Sequence, residues 1–371
     1  MTSSQSPDID FDIRPSDYPV PAAERERVMA APGFGDVFTD HMVTIRWSAE
    51  HGWHDGRLEP YGPVTLDPAT SVLHYGQEIF EGLKAYVQAG GPVVAFRPQA
   101  NAARFNLSAV RMAMPELPEP VFVRAIELLV RQDRDWVPAA DGHSLYLRPF
   151  MIATQRGLGV NQPSSSYLFT VIASPVAAYF SGGVEPVSVW LSEDYTRAAP
   201  GGTGEAKCGG NYAAAFAGQI EAVRNGCDQV VWLDAAEHRW VEEMGGMNLF
   251  FVHGSGAEAR IMTPAPTGTL LRGITRDSLL KLGPDLGISA EEGRVSVGQW
   301  RAGCESGDIT EVFACGTAAV VTPVGMVKGP GQEWVIGDGK PGPVTMRLRD
   351  ELLDIQYGRQ PDPYGWIHRL C

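Results

Sequence analysis

The run Val241-Glu242-Glu243-Met244-Gly245-Gly246-Met247-Asn248-Leu249-Phe250-Phe251-Val252 decides how this sequence is interpreted. A carboxylate, Glu243, enters a Gly-Gly turn that leads into a strongly apolar strand. A charged group beside a buried strand needs a partner, because an unpaired buried charge is very unfavourable. The pyridinium nitrogen of a ligand would be such a partner. The alternative is that Glu243 is a solvated residue at a strand end, and the adjacent Glu242 shows how easily the wrong carboxylate could be chosen.

Lys207 is the second informative residue, since it lies in a Gly-rich loop, residues 201–212, that opens into an Ala-rich helix. A lysine among small residues can bring its amine close to a bound carbonyl. If it is partly removed from water, it becomes a nucleophile for Schiff-base chemistry. Taken alone, Lys207 is more easily explained as a surface residue. The other lysines are expected to be solvated: Lys84, Lys281, Lys328 and Lys340.

Composition narrows the possible functions of the chain. Its 371 residues, 44% hydrophobic and 20% charged, are typical of a globular protein with two domains or one large one. The net charge of −14 argues against nucleic acid or an anionic membrane as a partner. Five cysteines without a CxxC pair indicate neither a disulfide scaffold nor a metal site. Without a signal peptide or a long apolar run, we expect a cytoplasmic protein.

Hydrophobic spacing predicts a mixture of strands and helices. The predicted strands cover residues 41–47, 144–153, 167–173, 187–191, 229–234, 247–253 and 310–315. The predicted helices cover residues 98–112, 120–136, 211–224, 275–282 and 344–357. Because the helices do not alternate strictly with the strands, the pattern favours the α+β class.

A Pro and Gly-Gly bracket at residues 174–184 indicates a linker between two domains. The predicted division is a flexible N-terminal segment over 1–25, a smaller α+β domain over 26–174, an interdomain loop over 175–184 and a larger cofactor-binding domain over 185–371.

Two segments could hold an anion. Gly273 precedes a predicted helix with Thr275 near its start, and Gly316-Thr317-Ala318 follows a buried strand. Backbone N–H groups and the helix dipole favour a phosphate at such places. Taken alone, each is more often a helix cap or a strand end. The sequence has neither a GxxxxGK[ST] loop nor a GxGxxG loop between strand and helix, so nucleotide binding through these motifs is not expected.

These residues together resemble a known family. The pattern Glu243-x-Gly-x-x-Asn248-Leu249-Phe250, then Ile261-x-Thr263, then Leu271-x-Gly273-Ile274-x-Arg276 resembles the signature of class IV aminotransferases, which use pyridoxal phosphate. Further segments are similar to branched-chain amino acid aminotransferases, over nearly the whole chain from about residue 40: residues 74–85, 101–115, 145–149, 207–212 and 310–318. The resemblance implies a two-domain α+β enzyme of fold type IV, D-amino-acid-aminotransferase-like, with the cofactor between the domains.

The resemblance also implies roles in cofactor binding. Lys207 matches the lysine that binds pyridoxal 5'-phosphate covalently and then moves the substrate proton, a general-base role worth ~10²–10⁴ in rate. Glu243 matches the carboxylate that keeps the pyridine nitrogen protonated. Tyr212 matches the tyrosine that hydrogen-bonds the phenolic oxygen. The matches to the phosphate-binding residues are Arg104, Gly273, Ile274, Thr275, Gly316 and Thr317.

Substrate residues are implied in the same way. Tyr75, Thr317 and Ala318 match positions that receive the α-carboxylate, and the matches to the walls of an apolar side-chain pocket are Phe80, Tyr146 and Tyr179. Arg148 matches a residue that meets the distal carboxylate of glutamate. One pocket must hold leucine and then glutamate. An apolar wall with a movable arginine at its rim can do both, whereas leucine would leave a fixed buried arginine unpaired.

The implied activity is reversible transamination of L-leucine, L-isoleucine and L-valine with 2-oxoglutarate. It would be ping-pong through pyridoxamine phosphate, and would be the last step of synthesis or the first step of breakdown of these amino acids. The family forms homodimers. The sequence departs from mammalian relatives at Ala319 and Thr322, where they have a redox CxxC, and at Gly246, where they have threonine.

Two alternatives remain. One is a sister activity, D-amino-acid transaminase or aminodeoxychorismate lyase, whose sequences lack the Tyr146-x-Arg148 pair and the context of residues 80–84. The other is a non-catalytic descendant, which the presence of Lys207 disfavours.

Overall fold

The computed structural model describes residues 9–177 and 184–371. Within these ranges the strands are β1 (Phe11–Ile13), β2 (His41–Ser48), β3 (Gly52–Pro60), β4 (Glu78–Phe80), β5 (Leu83–Val87), β6 (Val93–Phe96), β7 (Ser144–Ala153), β8 (Ser166–Val176), β9 (Val187–Ser192), β10 (Gln229–Leu233), β11 (Val241–Met244), β12 (Met247–His253), β13 (Arg260–Pro264), β14 (Ser289–Gly293), β15 (Ile309–Gly316), β16 (Val320–Gly329), β17 (Gln332–Val335) and β18 (Ile367–Arg369). The α-helices are α1 (Ala22–Ala30), α2 (Val72–Tyr75), α3 (Pro98–Arg111), α4 (Glu119–Gln132), α5 (Gly209–Arg224), α6 (Ile274–Asp285), α7 (Val297–Ser306) and α8 (Pro343–Gln356).

The chain forms two compact units. The first comprises Met1–Ala178, Ala206–Gly209 and Ile355–Cys371, and the second comprises Tyr179–Glu205 and Gly210–Asp354. Each unit has its own sheet and helices, so the predicted α+β class is confirmed. No helix within the described ranges is both long enough and apolar enough to cross a lipid bilayer.

The first unit is built on a mostly antiparallel sheet of nine strands in the order β1-β3-β2-β8-β7-β5-β6-β18, with β4 paired to β7. The helices α3 and α4 supply the apolar side chains that cover it. Phe105 of α3 and Phe122 of α4 meet Phe169 of β8 with ring centroids 5.4–5.9 Å apart, and all three are fully buried. Aromatic pairs at this separation pack favourably beyond the area that they bury.

The N-terminal segment is more ordered than the sequence predicted. β1 pairs in parallel with β3, with Phe11 opposite Gly56. The Ser16 N–H donates to Nε2 of His41 at 2.8 Å, and α1 begins at Ala22. Residues 9–25 therefore do not form the flexible segment predicted over 1–25, because the edge of β3 offers backbone groups to pair with. Residues 1–8 lie outside the described residues.

The predicted domain limits also differ from the structure. β8 continues to Val176, which pairs with Ser144, so the predicted interdomain loop over 175–184 begins inside a strand. The C-terminal residues, predicted to belong to the second domain, return to the first unit. There β18 pairs antiparallel with β6, and the Leu370 N–H donates to the Val93 carbonyl at 2.8 Å.

The second unit contains a nine-stranded sheet in the order β11-β10-β9-β16-β15-β12-β13-β14, with β17 on β16. Since β11 also pairs with β12, six of these strands close into a ring. Trp300 of α7 is fully buried between Phe251 and Trp334, with ring centroids at 5.2 and 5.6 Å. This core supports β11, β12 and β15, which carry several of the predicted site residues.

Lys84 corrects one prediction. The sequence predicted a solvated side chain. Lys84 instead lies within β5, in the run Leu83-Lys84-Ala85-Tyr86-Val87, and is only 7% exposed. Burial lowers the pKa of Lys84 to about 8, since a charged ammonium is disfavoured away from water. Lys328, also expected to be solvated, lies half-buried in strand β16.

Candidate active site

Lys207 belongs to the first unit, although the chain on either side of Ala206–Gly209 belongs to the second. Its N–H donates to Oγ of Ser108 at 2.9 Å, and its carbonyl accepts the Phe80 N–H at 2.9 Å. Its Nζ lies 4.7 Å from the centroid of the Phe80 ring. Two residues later, the Gly209 N–H donates to Oε1 of Glu78. The first unit therefore fixes the backbone of the loop that carries the predicted reactive amine.

Arg104, the predicted phosphate arginine, is anchored in the same unit. It lies on α3, 7% exposed, and donates from Nε to Oε1 of Glu81 at 2.7 Å and from Nη2 to Oε2 at 2.8 Å. Glu81 is fully buried and also accepts from Nδ2 of Asn101 at 2.7 Å. Burial acts to raise the pKa of Glu81, but the charges of Arg104 and Lys207 and the hydrogen bonds outweigh it and hold that pKa below its ordinary value. Glu81 lies in the family-like segment of residues 74–85, but the sequence predicted no role for it.

The structure brings together three of the predicted substrate residues. The guanidinium carbon of Arg148 lies 4.9 Å from the centroid of the Phe80 ring and 5.3 Å from that of Tyr146. Its Nη2 donates to the Tyr146 hydroxyl at 3.2 Å, and its Nε has no hydrogen-bond partner among the described residues. Arg148 thus packs on aromatic faces, and it is near enough to Glu78 for their charges to interact.

Two other predicted substrate residues are placed differently. Tyr75 ends the short helix α2, is 45% exposed, and donates from its hydroxyl to the Leu158 carbonyl at 2.6 Å. That contact does not join it to the Phe80, Tyr146 and Arg148 group. Tyr179 lies outside the described residues.

Glu243 is the predicted carboxylate of the second unit. It lies in β11, 1% exposed, so it is not a solvated strand-end residue. Oε1 accepts the Leu271 N–H at 2.5 Å and Nδ2 of Asn248 at 3.4 Å, and Oε2 lies 3.0 Å from Nε of Arg197. This buried carboxylate is thus paired with a cation and accepts hydrogen bonds from two N–H donors.

Arg197 is a residue that sequence reasoning missed. Its Nη1 donates to the carbonyls of Gly204 at 3.2 Å and Thr269 at 2.9 Å, which orient the guanidinium towards Glu243. The argument that a buried carboxylate needs a partner implied a cation here. No local pattern could identify it, because Arg197 and Glu243 are far apart in sequence.

Glu242 has a different environment, although it is adjacent to Glu243. Successive strand residues point to opposite faces, so the two carboxylates are separated. Oε1 of Glu242 accepts the Thr269 hydroxyl at 2.5 Å. Burial raises the pKa of Glu242 and outweighs the hydrogen bond from the Thr269 hydroxyl, which lowers it. Of the two, Glu243 is the carboxylate paired with a cation.

The predicted anion-binding residues begin helix α6. Gly273 is its N-cap, and the first two helical residues, Ile274 and Thr275, are buried. A Cβ on Gly273 would overlap Oδ1 of Asn248, the residue that also donates to Glu243 and, at 2.9 Å, to the Leu271 carbonyl. Asn248 thus ties the carboxylate to the segment that precedes the helix. A helix N-terminus in this setting suits a phosphate.

The remaining predicted residues of the second unit lie at the end of β15 and at the start of α5. Gly316 ends β15, and Thr317 and Ala318 form the turn that follows it. Tyr212 is in the first turns of α5, and a Cβ on Gly246 would lie 3.2 Å from its ring. Gly246, which stands where mammalian relatives have threonine, therefore gives the Tyr212 ring more room.

Comparison with known proteins identifies the family. The model of the class IV aminotransferases matches residues 78–327. A probable branched-chain-amino-acid aminotransferase of Streptomyces coelicolor is 60% identical over 97% of this chain and 99% of its own length. A branched-chain-amino-acid aminotransferase of Mycobacterium tuberculosis is 55% identical over the full length of both chains.

Solved structures agree with the sequence comparisons. The T.th. branched-chain amino acid aminotransferase with pyridoxamine 5'-phosphate aligns with a TM-score of 0.72 at 31% identity, over 88% of this chain and 98% of that one. The Escherichia coli enzyme aligns with a TM-score of 0.69 at 29% identity, over 88% and 99% of the two chains. The fold type IV architecture expected from the sequence is thereby confirmed. The chain belongs to the class IV aminotransferases and, within them, to the branched-chain-amino-acid aminotransferases.

Proposed function

We propose that this protein transfers the amino group of L-leucine, L-isoleucine or L-valine to 2-oxoglutarate, giving branched 2-oxo acids and L-glutamate in a reversible reaction of two half-reactions. One observation carries the substrate assignment. The centroid of the Phe80 ring lies 4.7 Å from Nζ of Lys207 and 4.9 Å from the guanidinium carbon of Arg148. An apolar surface and a cation thus lie beside the reactive amine.

The residues present suit pyridoxal 5'-phosphate as the cofactor. A buried carboxylate paired with Arg197 suits a protonated ring nitrogen, and a buried arginine and a helix N-terminus suit a phosphate. The residues that would hold it are Lys207, Arg104, Tyr212, Glu243, Gly273, Ile274, Thr275, Gly316 and Thr317. When bound, the cofactor supplies an electron-withdrawing ring that stabilises the negative charge left on the substrate α-carbon.

The roles proposed for the chain's own residues follow from their surroundings. Lys207 would take the proton from the α-carbon of the amino acid and deliver it to the cofactor carbon that receives the amino group. Its backbone bonds to Ser108 and Phe80 fix the position from which the amine acts. Glu243, which is paired with Arg197 and accepts the Leu271 N–H, would accept a hydrogen bond from the protonated ring nitrogen of the cofactor.

Arg148 accounts for the use of two unlike substrates. With leucine, the aromatic faces of Phe80 and Tyr146 pack against the side chain. With glutamate, the guanidinium binds the distal carboxylate. Because Arg148 lies on aromatic rings, it keeps contacts worth ~0.5–2 kcal/mol when leucine is bound and no carboxylate is present.

The assembly and the location are further parts of the proposal. We expect a homodimer, as implied by the family resemblance, in the cytoplasm. Free cysteines support a reducing compartment: Cys208, Cys227, Cys304, Cys315 and Cys371. The net charge of −14 supports small molecules, rather than nucleic acid or an anionic membrane, as partners.

The test is to add L-leucine or D-alanine to the protein carrying pyridoxal phosphate, without any 2-oxo acid, and record the visible spectrum. We expect L-leucine to change the cofactor absorbance, 2-oxoglutarate to restore it, and D-alanine to have no effect. Chromatography should detect 4-methyl-2-oxopentanoate and then glutamate. A response to D-alanine alone would indicate D-amino-acid transamination instead. A Lys207→Ala variant serves as the control and should give no product.

A further inference from the structure

The carboxylate of Glu81 has no role in the reaction as proposed so far, yet it is among the most deeply buried charged groups in the described residues. It is fully buried and accepts four hydrogen bonds: two from Arg104, one from Asn101 and one from the Gly82 N–H at 3.1 Å. A buried ion pair adds little to stability compared with apolar residues of similar size. The geometry of the Glu81–Arg104 pair therefore indicates a role other than stabilising the fold.

The bidentate contact fixes the direction of the Arg104 guanidinium. Glu81 binds Nε and Nη2, at 2.7 and 2.8 Å, which is the side-on arrangement that leaves the least rotational freedom to an arginine. A phosphate bound by Arg104 must then accept hydrogen bonds from guanidinium N–H groups other than the two that bind Glu81. Glu81 sets the direction in which those groups point.

Helix α3 connects this pair to the reactive lysine. Asn101, Arg104 and Ser108 follow one another at helical spacing and lie on one face. Asn101 holds Glu81, and Ser108 donates to the Arg104 carbonyl at 3.1 Å while accepting the Lys207 N–H. Glu81 also follows directly on Phe80, whose ring contacts Lys207. The same face of α3 thus carries Arg104 and, through Ser108, holds the backbone of Lys207.

We propose that Glu81 is a positioning residue: it holds the Arg104 guanidinium in the orientation that binds the cofactor phosphate, with Asn101 fixing Glu81 in turn. This inference rests on the proposed function, since it assumes that Arg104 binds that phosphate. Glu81 itself touches neither cofactor nor substrate in this role. Since Glu81 holds Arg104 through two hydrogen bonds, we expect its effect chiefly at the phosphate end of the cofactor.

The test compares pyridoxal phosphate with pyridoxal, which lacks the phosphate, in titrations of the full-length protein after dialysis to remove cofactor. In Glu81→Asp the charge stays, but the carboxylate is drawn back by about one carbon–carbon bond, ~1.5 Å, so both bonds to Arg104 cannot be kept. We expect affinity for pyridoxal phosphate to fall about 10- to 100-fold, the range for hydrogen bonds to a charged group. Affinity for pyridoxal should stay at the wild-type value.

The controls separate the possible outcomes. Glu50→Asp, at a carboxylate 84% exposed, should change neither affinity. If Glu81→Asp does not fold, Asn101→Ala carries the test and should show a smaller loss of the same kind. Equal loss for both ligands, or no loss for either, would overturn the inference. A wild-type protein that binds no pyridoxal phosphate would instead overturn the proposed function.

Discussion

Arg148 is the residue on which the choice between an apolar and an acidic substrate depends in the proposed reaction. Replacing it with methionine keeps an unbranched side chain against Phe80 and Tyr146 but removes the cation. We expect kcat/KM for 2-oxoglutarate to fall about 10- to 100-fold, because a hydrogen bond to a charged group is lost. The value for 4-methyl-2-oxopentanoate should change by less than about threefold.

Steady-state kinetics with both 2-oxo acids measures this difference. Arg124→Met is the matched control, since Arg124 is 50% exposed on α4 and pairs only loosely with Glu127 at 3.6 Å. Equal losses for the two substrates in Arg148→Met would contradict a role for Arg148 in distinguishing them.

Lys84 gives a prediction about pH. Its pKa is about 8 in the folded chain and ordinary, near 10.5, in the unfolded chain. Below pH 8 both states are protonated, and the folded state carries the full cost of a buried charge, about 3 kcal/mol. Between pH 8 and 10.5 only the unfolded state keeps the proton, so this cost is relieved and stability rises with pH.

Lys84→Met removes the titrating group. The wild type should gain up to about 3 kcal/mol of unfolding free energy between pH 7 and pH 10.5, and the variant should not gain this amount. The difference, variant minus wild type, should therefore decrease by that amount over this range. Urea denaturation at several pH values measures it. Lys281→Met, at a side chain 52% exposed, should give a difference that does not vary with pH. A constant difference for Lys84→Met would show that its ammonium is not disfavoured by the fold.

The sequence was informative about which residues are candidates for the chemistry and less informative about which residues hold them. Lys207 and Glu243 stand out because each breaks the expectation for its surroundings, an amine among glycines and an acid before an apolar strand. Their supports, Ser108 and Arg197, come from distant parts of the chain. Such contacts depend on tertiary structure, and an isolated Ser or Arg has no pattern that distinguishes it. Lys84 was misassigned for the same reason.

At the scale of elements, Glu311 links a strand to a helix. It lies in β15, 7% exposed, and accepts the Val344 N–H at 3.0 Å and the Thr345 N–H at 2.8 Å, the first turn of α8. A carboxylate here satisfies two helix amides and suits the positive end of the dipole. Glu311→Gln keeps the shape but removes the charge and one acceptor. We expect it to lower the free energy of unfolding by about 1–3 kcal/mol.

Urea denaturation compares this variant with Glu333→Gln, which changes an exposed residue of the neighbouring strand β17 and should stay within about 0.5 kcal/mol of wild type. Equal effects of the two substitutions would mean that Glu311 does not cap α8. Gly342→Ala offers an independent test, because its Cβ would overlap the Glu311 carboxyl group and displace it from the helix.

Elements with a strong pattern were predicted well. In α4, Phe122, Ile126, Leu129 and Val130 recur at helical spacing and are all fully buried. The prediction extended that helix to Trp136, whereas it ends at Gln132 and a separate 3-10 turn follows at Arg134–Trp136. Helix α7 was missed because glycines interrupt its apolar face, although Ser296 and Gln299 form a capping box that the sequence contains.

At the scale of the whole molecule, the C-terminal residues support structure formed by the first hundred. Trp366, 6% exposed, packs edge-on against Phe96 of β6 with ring centroids 5.5 Å apart and stacks on Tyr364 at 4.0 Å. Trp366→Ala should lower the free energy of unfolding by about 3–5 kcal/mol, the range for removing a buried aromatic side chain.

Hydrogen exchange locates the effect. We expect faster exchange in Val93–Phe96, far from the substitution in sequence, and unchanged exchange in β12 of the second unit. Trp240→Ala removes a half-buried tryptophan that lies among Arg239 and Arg294 in the second unit, and serves as the matched control. Protection of Val93–Phe96 that survives in Trp366→Ala would show that β18 does not depend on this packing.

The pairing of β18 with β6 also sets an order of events when the protein is made. Ribosomes add roughly 5–20 residues per second, so β6 emerges on the order of ten to sixty seconds before β18 exists to cover it. Throughout that time one edge of the first sheet is exposed, and an exposed edge can pair with another chain. The part of the protein synthesised first is therefore completed last, and slow or interrupted translation leaves it open to aggregation.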